Sequence, residues 1–510
     1  MLKTAELRAF VREAARIVAR ERDVASFEVY AASAEHRIAR LNYTSDIPSR
    51  GVEEFKSIHA DGFQLRIAMR RDSHEVGTAF EAGELDAASV REAIGRARSA
   101  AVVDPHFSGF PAEPRKFAAA GANPSDLARL ADGAIASAAW SVIKGTLEVF
   151  ARHASRAGAA RAEHPGLIVG GDVSVVRDRI AVFNSNFADI RVDESAHFNA
   201  SATAIIESID AKGTAAALGG SGAAMRRATA MLGADAVRRA LALGHGVRPA
   251  SGTFRVVLGP QPIAEILNYM VMGSLTTGAF YAASSAYQAR FGERVMDPRL
   301  CLADDPIARA GAVHRAITCE GIPARRVELV RDGMLVGLLS NFYDTNRLLS
   351  DDKRAEKLGA RYADENFPPL SGYRLGEGGG RRFDAGPGSA GTNVMMRARD
   401  GLGDRELIRK VRDGIYVGRI WYTYPINGQR AGDFTCTITG DSYLIRDGEL
   451  ATPLAPNCLR INANIAQVFE RPLAVGARAK PATVWGSPEA YYVPSIAVDS
   501  VALSEVAATA

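Results

Sequence analysis

Phe254-Arg255-Val256-Val257-Leu258-Gly259-Pro260 reads as a short β-branched strand that stops at a Gly-Pro turn. Directly after it, Ile263, Ile266, Leu267, Met270, Val271 and Ser274 recur at the three-and-four spacing that lines one face of a helix. A strand, a tight turn and a helix therefore open the second half of the chain. Beyond them come short strands and turns. Two segments resemble one another, Val327-Glu328-Leu329-Val330-Arg331-Asp332-Gly333-Met334-Leu335 and Tyr443-Leu444-Ile445-Arg446-Asp447-Gly448-Glu449-Leu450. In each, Asp-Gly supplies the positive φ angles of a type I′ hairpin turn. This half reads as a β-rich sheet or barrel with few helices. Its glycine-heavy stretch, 376–391, reads as a mobile loop.

Upstream, helices and short strands alternate. Leu7, Phe10, Val11, Ala14 and Val18 carry helical spacing, and extended stretches follow at 26–30 and 63–69. Helices fit 87–101, with Asp86 as N-cap, then 134–154 and 223–243. Strands fit the interval 170–208. The break Gly244-His245-Gly246-Val247-Arg248-Pro249 divides the chain. The expected class is α+β. An N-terminal mixed domain with short antiparallel strands spans 1–245, and a C-terminal β-rich domain spans 246–510. A length of 510 residues fits two domains, since a single core rarely grows past about 250–300 residues.

Composition narrows the function. A net charge of +4 with no basic run argues against a nucleic-acid partner. No leader-like apolar segment opens the chain, and no unbroken apolar run approaches the ~20 residues of a membrane span. The expectation is a cytoplasmic protein without a membrane partner. Cys301, Cys319, Cys436 and Cys458 form no CxxC pair, which excludes a sequence-local zinc knuckle.

Catalytic signatures are sparse. No Gly-Lys dipeptide exists, so there is no Walker loop. Gly386-Pro387-Gly388-Ser389-Ala390-Gly391 has the GxGxxG string but lacks a preceding strand and a following helix, and reads as loop. Gly219-Gly220-Ser221-Gly222-Ala223 misses the last glycine of a nucleophile elbow. His74-Glu75 has no second His a turn later and reads as a surface turn, and the other eight histidines lie far apart. His314, Cys319 and Glu320 are near enough in sequence to suggest a thiol site, but no orienting group accompanies them. Asp304-Asp305 reads as a turn and hydrogen-bond anchor. Trp421-Tyr422-Thr423-Tyr424 could line a peptide groove or belong to the core.

Taken in order along the chain, several segments resemble the TldD/TldE family, whose TldE member is also called PmbA. They are Asp61-Gly62-Phe63-Gln64-Leu65-Arg66-Ile67 through Gly77-Thr78-Ala79-Phe80, and Val182-Phe183-Asn184-Ser185-Asn186. After these come 254–260, Asp304-Asp305-Pro306, Glu320-Gly321-Ile322-Pro323-Ala324-Arg325-Arg326, both Asp-Gly hairpins and Gly414-Ile415-Tyr416-Val417. The resemblance covers nearly the whole chain. It implies that the TldD member carries HExxxH on the helix after the Gly-Pro turn, with a further Cys ligand near its C-terminus. Here Asn268, Tyr269 and Gly273 stand at those positions, and no Cys follows Cys458. That set cannot reproduce two imidazole ligands and a carboxylate base.

The resemblance thus implies a TldE-like subunit with no catalytic residue and no metal of its own. Zinc is expected in a TldD-type partner, the pair forming a heterodimeric cytoplasmic metallopeptidase. Such a pair trims leader peptides or degrades unfolded ones, and family chains bind extended peptide by strand addition. The alternatives are a stand-alone hydrolase with an unrecognised catalytic set, or a non-enzymatic binding or modulator protein.

Overall fold

Seven antiparallel strands form the first sheet: β1 (Val24–Thr44), β2 (Lys56–Met69), β3 (Glu75–Ala82), β4 (Val102–Val103), β5 (Leu167–Asn184), β6 (Arg191–Ile206) and β7 (Ala211–Gly219). Their spatial order is β4-β3-β2-β1-β5-β6-β7. The computed structural model describes residues 1–45, 51–113, 125–153, 166–244, 246–362, 364–376 and 380–506. Ala154, His245 and residues 377–379, which fall in stretches read above, lie outside the described residues.

The mixed α+β reading holds, but these strands are much longer than the fragments seen in sequence. β1 runs 21 residues and β5 runs 18. The reason is burial on both faces, which erases the simple apolar-polar alternation. Residues 27–35 are all buried, Glu28, Ser33 and Glu35 included.

Strand periodicity still sorts the two faces. Val29, Ala31, Ala39 and Leu41 of β1 pack toward helices, whereas Tyr30 and Ala32 pack toward Ile317, Cys319 and Phe383 of the C-terminal half. The helices are α1 (Thr4–Val18), α2 (Ala87–Ser99), α3 (Asp132–His153) and α4 (Gly222–Leu243). Asp86 caps α2 as expected, its carboxylate accepting from the Ser89 N–H at 2.8 Å. By length and composition, α3 alone among the described residues could cross a membrane. Its Ile135, Ala138, Ala139, Val142, Ile143 and Val149 are instead core residues, packed with α4 and the sheet.

The C-terminal half holds a six-stranded and a nine-stranded sheet around a separate core. Both Asp-Gly hairpins form with the expected turn chemistry. Asp332 and Gly333 have φ of 52° and 79°, and Asp447 and Gly448 have 50° and 79°.

One expectation fails clearly. The glycine-heavy stretch was read as mobile, yet its described part is anchored by buried charge. Arg381 lies between Asp178 of β5 and Asp193 of β6, at 2.5 and 2.6 Å. Just before the stretch, Arg374 pairs with Glu28 of β1 at 2.8 Å, and both side chains are buried. Burial pushes the Arg381 guanidinium toward neutrality, but Asp178 and Asp193 outweigh it and hold its pKa above the ordinary value. Glycines here let the chain run close to the sheet: a Cβ on Gly380 would come 3.2 Å from Val176.

Candidate functional site

The strand of the opening motif, β8 (Gly252–Leu258), feeds directly into α5 (Pro260–Ile266), with Pro260 at the first helical position where its missing N–H costs nothing. All six predicted face residues, Ile263 to Ser274, are buried. The helix does not stay α-helical across them. Residues Leu267–Val271 form a π-type turn in which the Met272 N–H reaches the Leu267 carbonyl, and Met272–Leu275 then tighten into a 3₁₀ turn.

This wide turn sets the site geometry. In an α-helix, positions five apart point about 140° away from one another. An i→i+5 turn is wider and narrows that angle, which draws positions 268 and 273 toward a common side. The widened turn also loosens the carbonyl ladder. Gln429 Nε2 compensates by donating to the Met270 carbonyl at 2.8 Å and the Tyr269 carbonyl at 3.3 Å.

At that face, donors suited to a cation are replaced by a closed polar chain. Asn268 Oδ1 lies 2.9 Å from the Tyr491 hydroxyl, which also bonds the Glu489 carboxyl. Glu489 is partly buried, and its other oxygen accepts from the Gly391 N–H at 2.8 Å. Burial raises the Glu489 pKa, and the hydrogen bonds it accepts from the Tyr491 hydroxyl and the Gly391 N–H oppose that rise. Tyr269 faces solvent and Gly273 has no side chain to offer. Among the described residues, no group of three His, Cys, Asp or Glu side chains is placed to hold a metal ion. The residues present at this place do not fit catalytic zinc. Nearby, burial pushes Glu265 up to about 7, with Gln261 Nε2 donating to it at 2.9 Å.

Trp421-Tyr422-Thr423-Tyr424 lies beside this turn, and its two possible fates resolve residue by residue. Thr423 is buried, while Tyr422 is 69% and Tyr424 49% exposed. Tyr422 has φ of 57° within a bulge between the strand Arg419–Pro425 and its neighbour, which turns its ring outward. Trp485, 77% exposed, sits 6.1 Å from the Trp421 ring, and the Tyr269 hydroxyl lies 3.5 Å from the Trp485 carbonyl. An aromatic strip therefore borders the turn that carries Asn268 and Tyr269.

The remaining candidates are not brought together. Glu75 pairs with Arg71, and His74 is exposed beside Asp72. Cys319 is fully buried, and that burial pushes its thiol far above its ordinary range, the wrong direction for a nucleophile. Glu320 is committed to the Phe342 N–H, 3.0 Å from each carboxylate oxygen. With Cys319 buried and Glu320 engaged, these residues do not form a thiol site. Asp304 is the anchor anticipated, accepting from the Thr392 N–H at 2.6 Å and hydroxyl at 2.9 Å. Sequence reading missed Arg315, Arg374 and Arg381, all fully buried. The signal available was a pair of acids, Asp178 and Asp193, within β5 and β6.

Two of these acids give a pH prediction. Burial raises Asp304 to about 7 and Glu320 to about 8. A carboxyl whose pKa is higher folded than unfolded favours the fold while protonated. Its contribution is complete below the unfolded pKa and is lost as pH rises through the folded one. The urea midpoint is therefore expected to fall as pH rises from about 4 to about 8, and Asp304→Asn combined with Glu320→Gln should flatten that slope.

Comparison with known proteins places this geometry. Residues 251–505 match the PmbA/TldA metallopeptidase C-terminal domain. A curated relative, the Metalloprotease TldD homolog of Haemophilus influenzae, is 27% identical over 227 residues, covering 43% of this chain and 40% of that protein. The match thus spans well under half of the curated relative's length. The crystal structure of TldE from Thermococcus kodakarensis superposes with a TM-score of 0.75 at 14% identity, covering 98% of this chain and all of that one. At that identity the likeness speaks for the fold. Together with the match over the C-terminal half, these findings show that the chain belongs to the TldD/PmbA family.

Proposed function

We propose that this chain is the zinc-free, TldE-like subunit of a heterodimeric cytoplasmic metallopeptidase that cleaves leader or unfolded peptides. The observation that carries this reading is the substitution of the family's metal-binding positions by Asn268, Tyr269 and Gly273. Asn268 is drawn into a hydrogen-bond chain with Tyr491 and Glu489 that leaves no cation to be satisfied. In this reading zinc and the base come from a TldD-type partner, and this chain completes the cleft and holds extended peptide. The aromatic strip around Trp421 and Trp485 supports it, because exposed aromatics of this density suit a surface that another chain covers.

The test is assembly. The chain mixed with a TldD-type subunit is expected to co-elute from a sizing column as a one-to-one species. Charge placed in the strip by Tyr422→Asp and Trp485→Asp should weaken that species at least about tenfold. Separate elution of the two wild-type chains would overturn the proposal.

A further inference from the structure

A second feature lies at the start of α5, at the opposite end of that helix from positions 268–273. A cleft of ≈ 530 Å³ separates β7 and the outer side of α4 from the C-terminal half. That volume is within the range of ligand-binding clefts, roughly 300–1,000 Å³. Its N-terminal wall is built from Thr214 and the small residues 215–217 of β7, with Arg227 and Met231 of α4. Met231 is 60% exposed, an apolar side chain left at the lip. The opposite wall carries Arg419, Asp441 and the short strand Lys480–Ala482. β7 and Lys480–Ala482 are each the last strand of their sheet. Terminal strands carry main-chain N–H and C=O groups along an outer edge, which suits an extended ligand.

The charges in this cleft do not balance. Arg239 pairs with Asp441 at 3.4 Å, and Arg419 donates to Thr214 Oγ1 at 3.1 Å without a carboxylate within ion-pair distance. Arg227 has no ion-pair partner among the described residues. Lys480, at the rim, reaches Asp404. Asp235 is engaged outward by Arg238 at 2.9 Å. Burial raises the pKa of Asp441 against the pull of Arg239 and Arg419, and Glu265 is a second carboxylate acting on Arg419. A guanidinium has five N–H donors in a planar fork matched to a carboxylate. Arg419 uses one of them here, on Thr214.

We propose that this cleft binds an extended peptide segment carrying an acidic side chain, with small residues against 215–217 and its carboxylate received by Arg419 and Arg227. The proposal rests on the reading above that this chain holds peptide. It adds where the segment lies and which charge it bears. Extended backbone fits a wall of alanines and terminal strands, and an anionic side chain fits the excess of cations.

The experiment measures fluorescence anisotropy of short fluorescein-labelled Ala/Ser peptides on the purified full chain. The peptides share one scaffold and carry Glu, Lys or neither. The Glu peptide is expected to bind about tenfold more tightly than the neutral one, with the preference shrinking as salt is raised. Arg227→Glu with Lys480→Glu, both at accessible positions, should abolish the preference for the Glu peptide. Equal binding of all three peptides would overturn the acidic preference while leaving peptide holding intact. A preference that survives the double variant would overturn the placement in this cleft. No binding of any peptide by the wild-type chain would overturn the proposal and the peptide-holding reading together.

Discussion

Arg381→Met is expected to destabilise the chain by about 3–5 kcal/mol, read as a lowered urea midpoint. The guanidinium and both carboxylates it meets are nearly or fully buried, with side chains 0–2% exposed. The main-chain N–H of Arg381 also reaches Asp178, at 3.2 Å. A buried ion triad of this kind is not in itself a large stabiliser, because desolvation offsets most of the Coulomb attraction. Removing one partner is another matter. It removes the guanidinium that bonds both Asp178 and Asp193 beneath the sheet, and water cannot reach them without opening the joint between the halves. The charge-neutral combination of Arg381→Met with Asp178→Asn and Asp193→Asn should therefore recover much of the loss. If the single variant unfolds at the wild-type midpoint, the anchoring role given to residues 380–384 is wrong.

The second large effect is steric. Gly213→Ala would place a Cβ 2.2 Å from both the Ala236 carbonyl oxygen and the Ala240 nitrogen, because α4 crosses β7 backbone to backbone. Neither contact can be relieved by a rotamer, so α4 must move away. The expected cost is about 1–3 kcal/mol, in the same denaturation assay. The control is Gly95→Ala, in the exposed interior of α2 with nothing within 4 Å of a new Cβ. It should stabilise by about 0.5–1 kcal/mol. Since α4 also forms one wall of the basic cleft, Gly213→Ala is expected to weaken acidic-peptide binding as well. Unchanged stability in Gly213→Ala would contradict the close α4–β7 crossing.

How much of this was legible in sequence depended on range. Local chemistry read true: the Asp86 cap, the two Asp-Gly turns, the Gly259-Pro260 stop and the buried face from Ile263 to Ser274 all stand where the residues put them. Strand length did not, because β1 is buried on both faces and polar Glu28, Ser33 and Glu35 interrupt its apolar pattern. The π-type turn at Leu267–Val271 left no mark either, since its face residues satisfy an ordinary helical spacing. The anchoring of 380–384 was invisible for a different reason. Arg381 meets acids 203 and 188 residues away, and nothing in a glycine-rich stretch indicates which distant charge it will find. The cleft is likewise a product of topology, joining α4 and β7 to residues near 419 and 480.

The central claim is that this chain contributes a peptide-holding surface and leaves zinc chemistry to its partner. The most direct test is to measure zinc content and peptide cleavage for the purified chain, for a TldD-type subunit, and for their mixture. The account predicts substoichiometric zinc and no cleavage for this chain alone, with cleavage by the mixture exceeding that of the partner alone. Stoichiometric zinc in this chain, or cleavage without a partner, would contradict it.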